Sequence, residues 1–284
     1  MAKPSVAAFR VSKFLDNNPE ETDDLLAVEE PLEIRLAYGS RTNRKEKSIS
    51  VTMRTPGQDF ELALGFLFTE GIIYNKADVR IIRYCEKNTE NLSKENIVLV
   101  ELAESVEPEL KKLERNFYTS SSCGICGKAS IEAVRTIHPE MKGKSEKGFT
   151  IGPKEISSLP LKLREQQLVF GYTGGLHAAA LFNSEGELLL LREDVGRHNA
   201  LDKLIGATFE MNNLPLDQHI LFLSGRSSFE LIQKAVMAGI KFVASVGAPS
   251  SLALSLAKEF NITLLGFVRD KRFNIYNGFE RINN

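Results

Sequence analysis

The stretch His219–Asp270 decides the fold, because three short apolar segments alternate in it with two helical segments. The apolar segments are 219-HILFLSG-225, 241-KFVASVG-247 and 262-ITLLGFVRD-270. Between them, Ser227–Gly239 and Ser250–Phe260 carry apolar residues at helical spacing. Strands that alternate with helices favour parallel pairing, so this pattern predicts a layered α/β domain with at least three parallel strands.

The segments before this stretch predict a hairpin and a second, smaller unit. Residues 176–194, LHAAALFNSEGELLLLRED, predict a hairpin that turns at Asn183 to Gly186, and a helix follows through HNALDKLIG. Nearer the start, four apolar strand patterns surround one helical segment, QDFELALGFLFTEG. We therefore predict a strand-rich α+β domain over residues 1–118 and an α/β domain over residues 119–284.

Composition excludes several classes of protein. The 284 residues include 36 Lys and Arg against 37 Asp and Glu, and 43% are hydrophobic. A net charge of −1 argues against a protein that binds nucleic acid through an overall positive charge. No apolar run reaches the roughly 18 residues of a membrane-spanning helix, and the start has no apolar signal core. We expect a cytoplasmic protein with neither nucleic-acid nor membrane partners.

The pair Cys123 and Cys126 is the first candidate for chemistry. It lies in 120-SSSCGICGK-128, where flanking glycines make a flexible loop that a ligand can approach closely. A helix that begins near Cys126, together with Lys128, would favour the thiolate, which attacks sulfur or binds metal. Three cysteines in the whole chain do not make a disulfide framework. Cys85, alone on a predicted strand, is interpreted as structural.

The cysteine pair by itself leaves three chemistries open. It could be half of a zinc site, a dithiol–disulfide couple or a carrier of sulfane sulfur. A four-cysteine zinc site needs more cysteines than the chain has, although the four histidines could complete a mixed site. A thioredoxin-like pair would directly follow a strand, and KKLERNFYTSSS is not a clear strand.

Two glycine-rich turns flank the predicted hairpin and bring polar side chains to its ends. The first, 171-GYTGGLH-177, offers hydrogen-bond donors at Thr173 and Gly174 and a titratable group at His177. The second, 192-REDVGRHN-199, carries Asp194, Arg197 and His198, which could bind an anion or position a proton. Alternatively, the histidines are packing residues and Asp194 caps the next helix.

Two further motifs follow predicted parallel strands, where open α/β sheets bind nucleotides. In 267-FVRDKR-272 we expect Arg269, Lys271 and Arg272 to pair phosphates and Asp270 to accept hydrogen bonds from guanine. The ring of Phe267, which precedes Val268, or the ring of Phe273 could stack on a base. Ser224 and Arg226, in SGRSS, could form a phosphate loop at a helix start, although the P-loop pattern is missing. A solvated charged turn is the alternative.

Six motifs in this order resemble the FdhD family of formate dehydrogenase accessory sulfurtransferases. They are SSCGICG, GYTGGLHAAALF, EDVGRHNALDKLIG, LSGRSS, VGAPSSLA and FVRDKRFNIY, and RTPGQDFELALGFLFTEGII also fits. The resemblance implies that the α/β domain is a three-layer, cytidine-deaminase-like domain with a mixed sheet. It does not carry the zinc chemistry of deaminases, because the HxE and PCxxC motifs are absent.

The resemblance also implies a function. Cys123 would receive sulfane sulfur from a cysteine desulfurase as a persulfide, with Cys126 as the second cysteine of the pair. The acceptor would be the bis(molybdopterin guanine dinucleotide) molybdenum cofactor, bound by Phe267–Arg272 before it enters formate dehydrogenase. GDP is expected to mimic that cofactor, and a homodimer is implied. The competing hypothesis is a cofactor chaperone that is not an enzyme and whose cysteines hold zinc.

Overall fold

The computed structural model describes residues 3–85, 94–108 and 149–283. Cys123 and Cys126 lie outside these residues. The strands of the described part are β1 (Val6–Leu15), β2 (Asn18–Ala27), β3 (Glu30–Tyr38), β4 (Lys45–Arg54), β5 (Val79–Tyr84), β6 (Ile97–Leu102), β7 (His177–Phe182), β8 (Leu188–Asp194), β9 (Ile220–Leu223), β10 (Phe242–Ser245), β11 (Thr263–Arg269) and β12 (Arg272–Asn277). The α-helices there are α1 (Asp59–Thr69), α2 (Pro153–Gln166), α3 (Leu168–Thr173), α4 (Arg197–Glu210), α5 (Phe229–Met237) and α6 (Ser251–Glu259).

The strand–helix alternation at the end of the chain forms the predicted parallel sheet. In the described residues this sheet has six strands in the order β12-β11-β10-β9-β7-β8. The pairs β9–β10 and β10–β11 are parallel, whereas β7, β8 and β12 pair in antiparallel fashion. The predicted mixed α/β class is confirmed, as is the hairpin between β7 and β8. The cytidine-deaminase-like layering stays a prediction.

The first part of the chain contains the predicted strands and helix, plus a hairpin that the sequence did not predict. Strands β4-β3-β6-β5 form a four-stranded sheet, with β3 and β6 parallel. Helix α1 ends before Gly71, whose φ of +71° is the left-handed conformation expected there. Strands β1 and β2 pair only with each other among the described residues, and most of their side chains are exposed.

One apolar core extends from the six-stranded sheet to the four-stranded sheet. Helices α4, α5 and α6 pack on one face of the six-stranded sheet, and that apolar cluster continues through α1 to the inner face of the four-stranded sheet. Helix α2 covers the opposite face with Ile156, Leu159 and Leu163. Both faces of the parallel strands are therefore buried, which explains their uninterrupted apolar sequences.

Candidate functional site

The candidate site lies where the three parallel strands β9, β10 and β11 end. We call this region the carboxyl edge, and it consists of the turns Ser224–Ser228 and Val246–Ser250 and the hairpin tip Phe267–Arg272. The N–H of Gly247 donates to the carbonyl of Gly225 (3.0 Å), and the N–H of Phe267 donates to the carbonyl of Gly247 (3.1 Å). The three segments therefore lie side by side, at the position where open α/β sheets bind ligands.

The first two turns approach each other too closely for a side chain between them. A Cβ placed on Gly247 would lie 2.9 Å from Cα and Cγ of Arg226. Glycine at this position is thus a requirement of packing. The close contact leaves the Arg226 side chain exposed at the surface of the edge.

The segment Phe267–Arg272 forms a β-hairpin tip. Arg269 of β11 pairs with Arg272 of β12, and the register shifts between Gly266 and Arg269. Phe267 has a φ of +54° and is 37% exposed as a residue, whereas Val268 is completely buried. Arg269, Asp270, Lys271 and Arg272 are all exposed. Val268 thus anchors a tip that presents three cations, one carboxylate and one aromatic ring to solvent.

In the turn before β7, the polar groups form hydrogen bonds with residues close by in the sequence. The Thr173 hydroxyl donates to the carbonyl of Val169 (2.9 Å) and accepts from the N–H of Gly175 (3.3 Å). The N–H of Gly174 donates to the carbonyl of Phe170 (2.7 Å), and its φ of +66° ends α3. The donors that sequence reasoning assigned to a ligand at Thr173 and Gly174 are therefore used to end a helix.

Asp194 has a different environment from the one expected for a ligand-binding carboxylate. It is 0% exposed and forms an ion pair with Lys203 at 2.7 Å. Its oxygens also accept from the N–H groups of Gly196 (2.8 Å) and Thr55 (3.2 Å) and from the Asn199 amide (3.0 Å). Asp194 thus holds the start of α4 against the loop before α1. Sequence reasoning missed Lys203 as its partner.

The remaining predicted residues of the two turns meet beside the turn Ser224–Ser228. The N–H of Ala178 donates to Ser224 Oγ (2.8 Å), which fixes this turn against the start of β7 and the neighbouring His177. His198 Nε2 lies 3.0 Å from Glu230 Oε2 and 3.3 Å from Ser228 Oγ. Sequence reasoning missed Glu230, whose only signal was its place in the first turn of the predicted helix.

The pKa of His177 is lowered from its ordinary value. Burial is the main cause, and the positive charges of Arg197 and His198 act in the same direction. The carboxylate of Asp194 opposes them. His177 is therefore held in its neutral form at neutral pH.

A cavity of about 380 Å³ is lined by residues that do not belong to the carboxyl edge. It is bordered by the loop before α1, the start of α3 and the end of β8. Its charged side chains have partners within the protein: Arg192 bonds Glu61, and Glu193 accepts from two N–H groups at the start of α3. The cavity contains none of the predicted site residues.

The described residues give two further findings. No helix among them is long and apolar enough to cross a membrane. Within the same residues, no group of three or more His, Cys, Asp and Glu side chains is arranged to hold a metal ion. Cys85 is a buried free thiol directly after β5, as its structural interpretation required.

Comparison with known proteins identifies the family. The family model described as the FdhD/NarQ family matches residues 27–283. The chain belongs to the FdhD/NarQ family. The match begins at the last residue of β2, so nearly all of the exposed β1–β2 hairpin lies outside it.

Individual relatives agree with this family. A protein of Mycolicibacterium paratuberculosis named sulfur carrier protein FdhD is 51% identical over 261 residues, which cover 91% of this chain and 92% of the relative. A Streptomyces coelicolor protein of the same name is 48% identical and covers 96% and 94%, respectively. A crystal structure described as a formate dehydrogenase accessory protein from Desulfotalea psychrophila has a TM-score of 0.71 and 24% identity, and covers 99% of this chain and 100% of that one. The similarity to this crystal structure supports the overall fold described above.

Proposed function

We propose that this protein is a sulfurtransferase for formate dehydrogenase that carries sulfur on Cys123 and delivers it to a guanine dinucleotide molybdenum cofactor. The observation that carries the proposal is its membership of a family whose relatives, about half identical over more than nine-tenths of the chain, are named sulfur carrier proteins. A thiolate at Cys123 would supply the nucleophile that such a carrier needs.

The loading step needs no outside oxidant or reductant. The Cys123 thiolate attacks the outer sulfur of a cysteine desulfurase persulfide, the S–S bond of that persulfide breaks, and the desulfurase cysteine leaves as a thiolate. Delivery of the outer sulfur to the metal as a sulfide ligand regenerates the Cys123 thiolate. Reduction of the sulfane sulfur to sulfide takes two electrons, which come either from the metal, whose oxidation state rises by two, or from two thiols that are oxidised to a disulfide.

The carboxyl edge provides a suitable surface for the cofactor. The bis(molybdopterin guanine dinucleotide) cofactor is a polyanion with a guanine base at each end. The exposed cations Arg269, Lys271 and Arg272 can pair its phosphates, and the Asp270 carboxylate can accept from N1–H and the 2-amino group of guanine. The exposed ring of Phe267 can stack on the base. A homodimer would supply one such edge for each of the two guanine groups.

The test is a measurement of intact mass. The protein is incubated with a cysteine desulfurase and cysteine, and we expect a gain of one sulfur that is lost in Cys123→Ala and retained in Cys85→Ala. Cys126→Ala should show a weaker or conditional defect, because one thiol is enough to carry sulfur.

The same preparations distinguish the chaperone hypothesis. Stoichiometric zinc in the purified protein, lost on mutation of either Cys123 or Cys126 and with no sulfur gained, would replace the sulfurtransferase proposal with a structural metal site.

A further inference from the structure

His177 has an imidazole that faces the carboxyl edge. A Cβ placed on Gly225 would lie 3.4 Å from His177 Nδ1, so the ring packs against the backbone of the turn Ser224–Ser228. Among the described residues neither ring nitrogen makes a hydrogen bond. A half-buried imidazole in this state has a donor and an acceptor available for a ligand.

Two more polar groups at this side of the sheet are buried and make no hydrogen bond within the described part of the chain. Ser227, in the turn Ser224–Ser228, is 0% exposed and its hydroxyl has no hydrogen-bond partner there, and the same holds for the shielded Nε of Arg197. Ser227 immediately precedes Ser228, the N-cap of the nine-residue helix α5, and Arg197 is the first residue of α4. Neither helix is capped by the side chain of its N-cap residue. Buried orphan donors at two helix starts are suited to an anion.

The charged groups around His177 favour the same ligand. Arg197 and His198 face it from α4, and Arg226 is exposed in the adjacent turn. The nearby carboxylates are already engaged, because Asp194 of β8 pairs with Lys203 and Glu230 of α5 pairs with His198. An incoming phosphate would therefore meet the guanidinium groups of Arg197 and Arg226, which form no ion pair with a carboxylate of the described residues.

We propose that His177, Arg197, Arg226 and Ser227 form a subsite for the phosphate groups of a guanine nucleotide, and that His177 takes up a proton when a phosphate binds. The inference rests on the proposed function, and it assigns the base and the phosphates of the nucleotide to two different segments of the carboxyl edge. The base binds the hairpin tip Phe267–Arg272, and the diphosphate binds beside the turn Ser224–Ser228. These segments are two strand positions apart, or roughly 10 Å, a span that a nucleoside diphosphate can bridge.

The physical reason for proton uptake is electrostatic. Burial, and after it the charges of Arg197 and His198, lower the pKa of free His177, and a bound phosphate offsets those charges and accepts a hydrogen bond from the imidazolium. The pKa of His177 is therefore higher in the complex than in the free protein. Affinity consequently rises as the pH falls through the pKa of the complex, and it levels off below the pKa of the free protein.

Calorimetric titration of the full chain with inorganic pyrophosphate and with GDP tests this subsite. Each ligand is titrated at pH 6.5 in two buffers of different ionisation enthalpy, which gives the number of protons taken up. We expect His177→Gln to bind both ligands about tenfold more weakly than the parent at pH 6.5 and to take up fewer protons. Pyrophosphate itself titrates near neutral pH, but that contribution is common to both proteins and cancels in their difference.

His219→Gln is the matched control. His219 lies before β9, at the opposite end of that strand, and burial also lowers its pKa. This variant should behave as the parent does. Equal proton uptake in the parent and His177→Gln, or a parent that does not bind pyrophosphate, would overturn the subsite. GDP binding without proton uptake would remove this inference and leave the proposed function intact, whereas failure to load sulfur on Cys123 would affect the proposed function alone.

Discussion

At the scale of single residues, Asp270 is the group at the hairpin tip that can distinguish guanine from adenine. Adenine has no N1–H or 2-amino group to donate to a carboxylate, so Asp270→Ala should weaken GDP about tenfold and leave ADP nearly unchanged. Arg272→Ala should weaken both nucleotides, because a phosphate contact does not depend on the base. Calorimetry with both nucleotides measures the two effects, with Glu280→Ala as an exposed carboxylate control. Unchanged GDP binding in both variants would place the base elsewhere.

Cys123 is the residue on which the proposed sulfur transfer depends. We expect Cys123→Ala to keep the circular dichroism spectrum of the parent and to abolish formate dehydrogenase maturation in cells, because the variant removes the nucleophile. Cys85→Ala is the control, since Cys85 is buried in the described fold and its loss affects packing. Normal dehydrogenase activity in cells that carry only Cys123→Ala would contradict the persulfide mechanism.

At the same scale, the positions of the polar residues could be predicted from the sequence, but their contacts could not. Residue types and strand ends located the carboxyl edge, because the glycines and charged groups follow recognisable strands. They could not show that Asp194 is sealed in an ion pair with Lys203, nine residues later, or that His198 faces Glu230 of another helix. These pairings depend on how α4 and α5 pack in the folded protein. Local sequence patterns carry no information about that packing.

At the scale of elements, the crossing of α1 and α4 is built on two glycines. A Cβ on Gly65 would lie 1.8 Å from the carbonyl oxygen of Asp202, and a Cβ on Gly206 would lie 1.8 Å from that of Glu61. Gly65→Ala should therefore force the helices apart and lower the free energy of unfolding by about 3 kcal/mol or more, measured by urea denaturation. The control is Gly171→Ala, in α3, where a Cβ meets nothing within 4 Å. Equal stability of the two variants would show that the helices separate at little cost.

The elements that were predicted correctly bury one face or both. Strand β3 alternates buried and partly buried residues, and β9 is buried throughout, so each shows a clear pattern. The β1–β2 hairpin was missed because it has no buried face, and Pro19 and the acidic run in β2 look like a loop. Helix α2 was missed because it contains Pro160, which usually ends a helix.

At the scale of the whole molecule, a buried polar cluster joins the two predicted domains. Lys234 of α5 lies 2.8 Å and 2.9 Å from the two oxygens of Asp202 in α4, and Thr69 of α1 bonds to both residues. The surrounding core contains Ile34 of β3 and Leu221 of β9 in one apolar cluster. We infer that the four-stranded and six-stranded sheets unfold together.

Lys234→Met tests this cooperativity. The variant leaves the Asp202 carboxylate buried without its cation, so the free energy of unfolding should fall by about 3–5 kcal/mol. Lys258→Met, at an exposed position in α6, should change it little. Because one core serves both sheets, hydrogen exchange should show the amides of β3 and β9 losing protection together in Lys234→Met. Loss of protection in β9 alone would instead indicate two independently folding domains, as the boundary at residue 118 predicts.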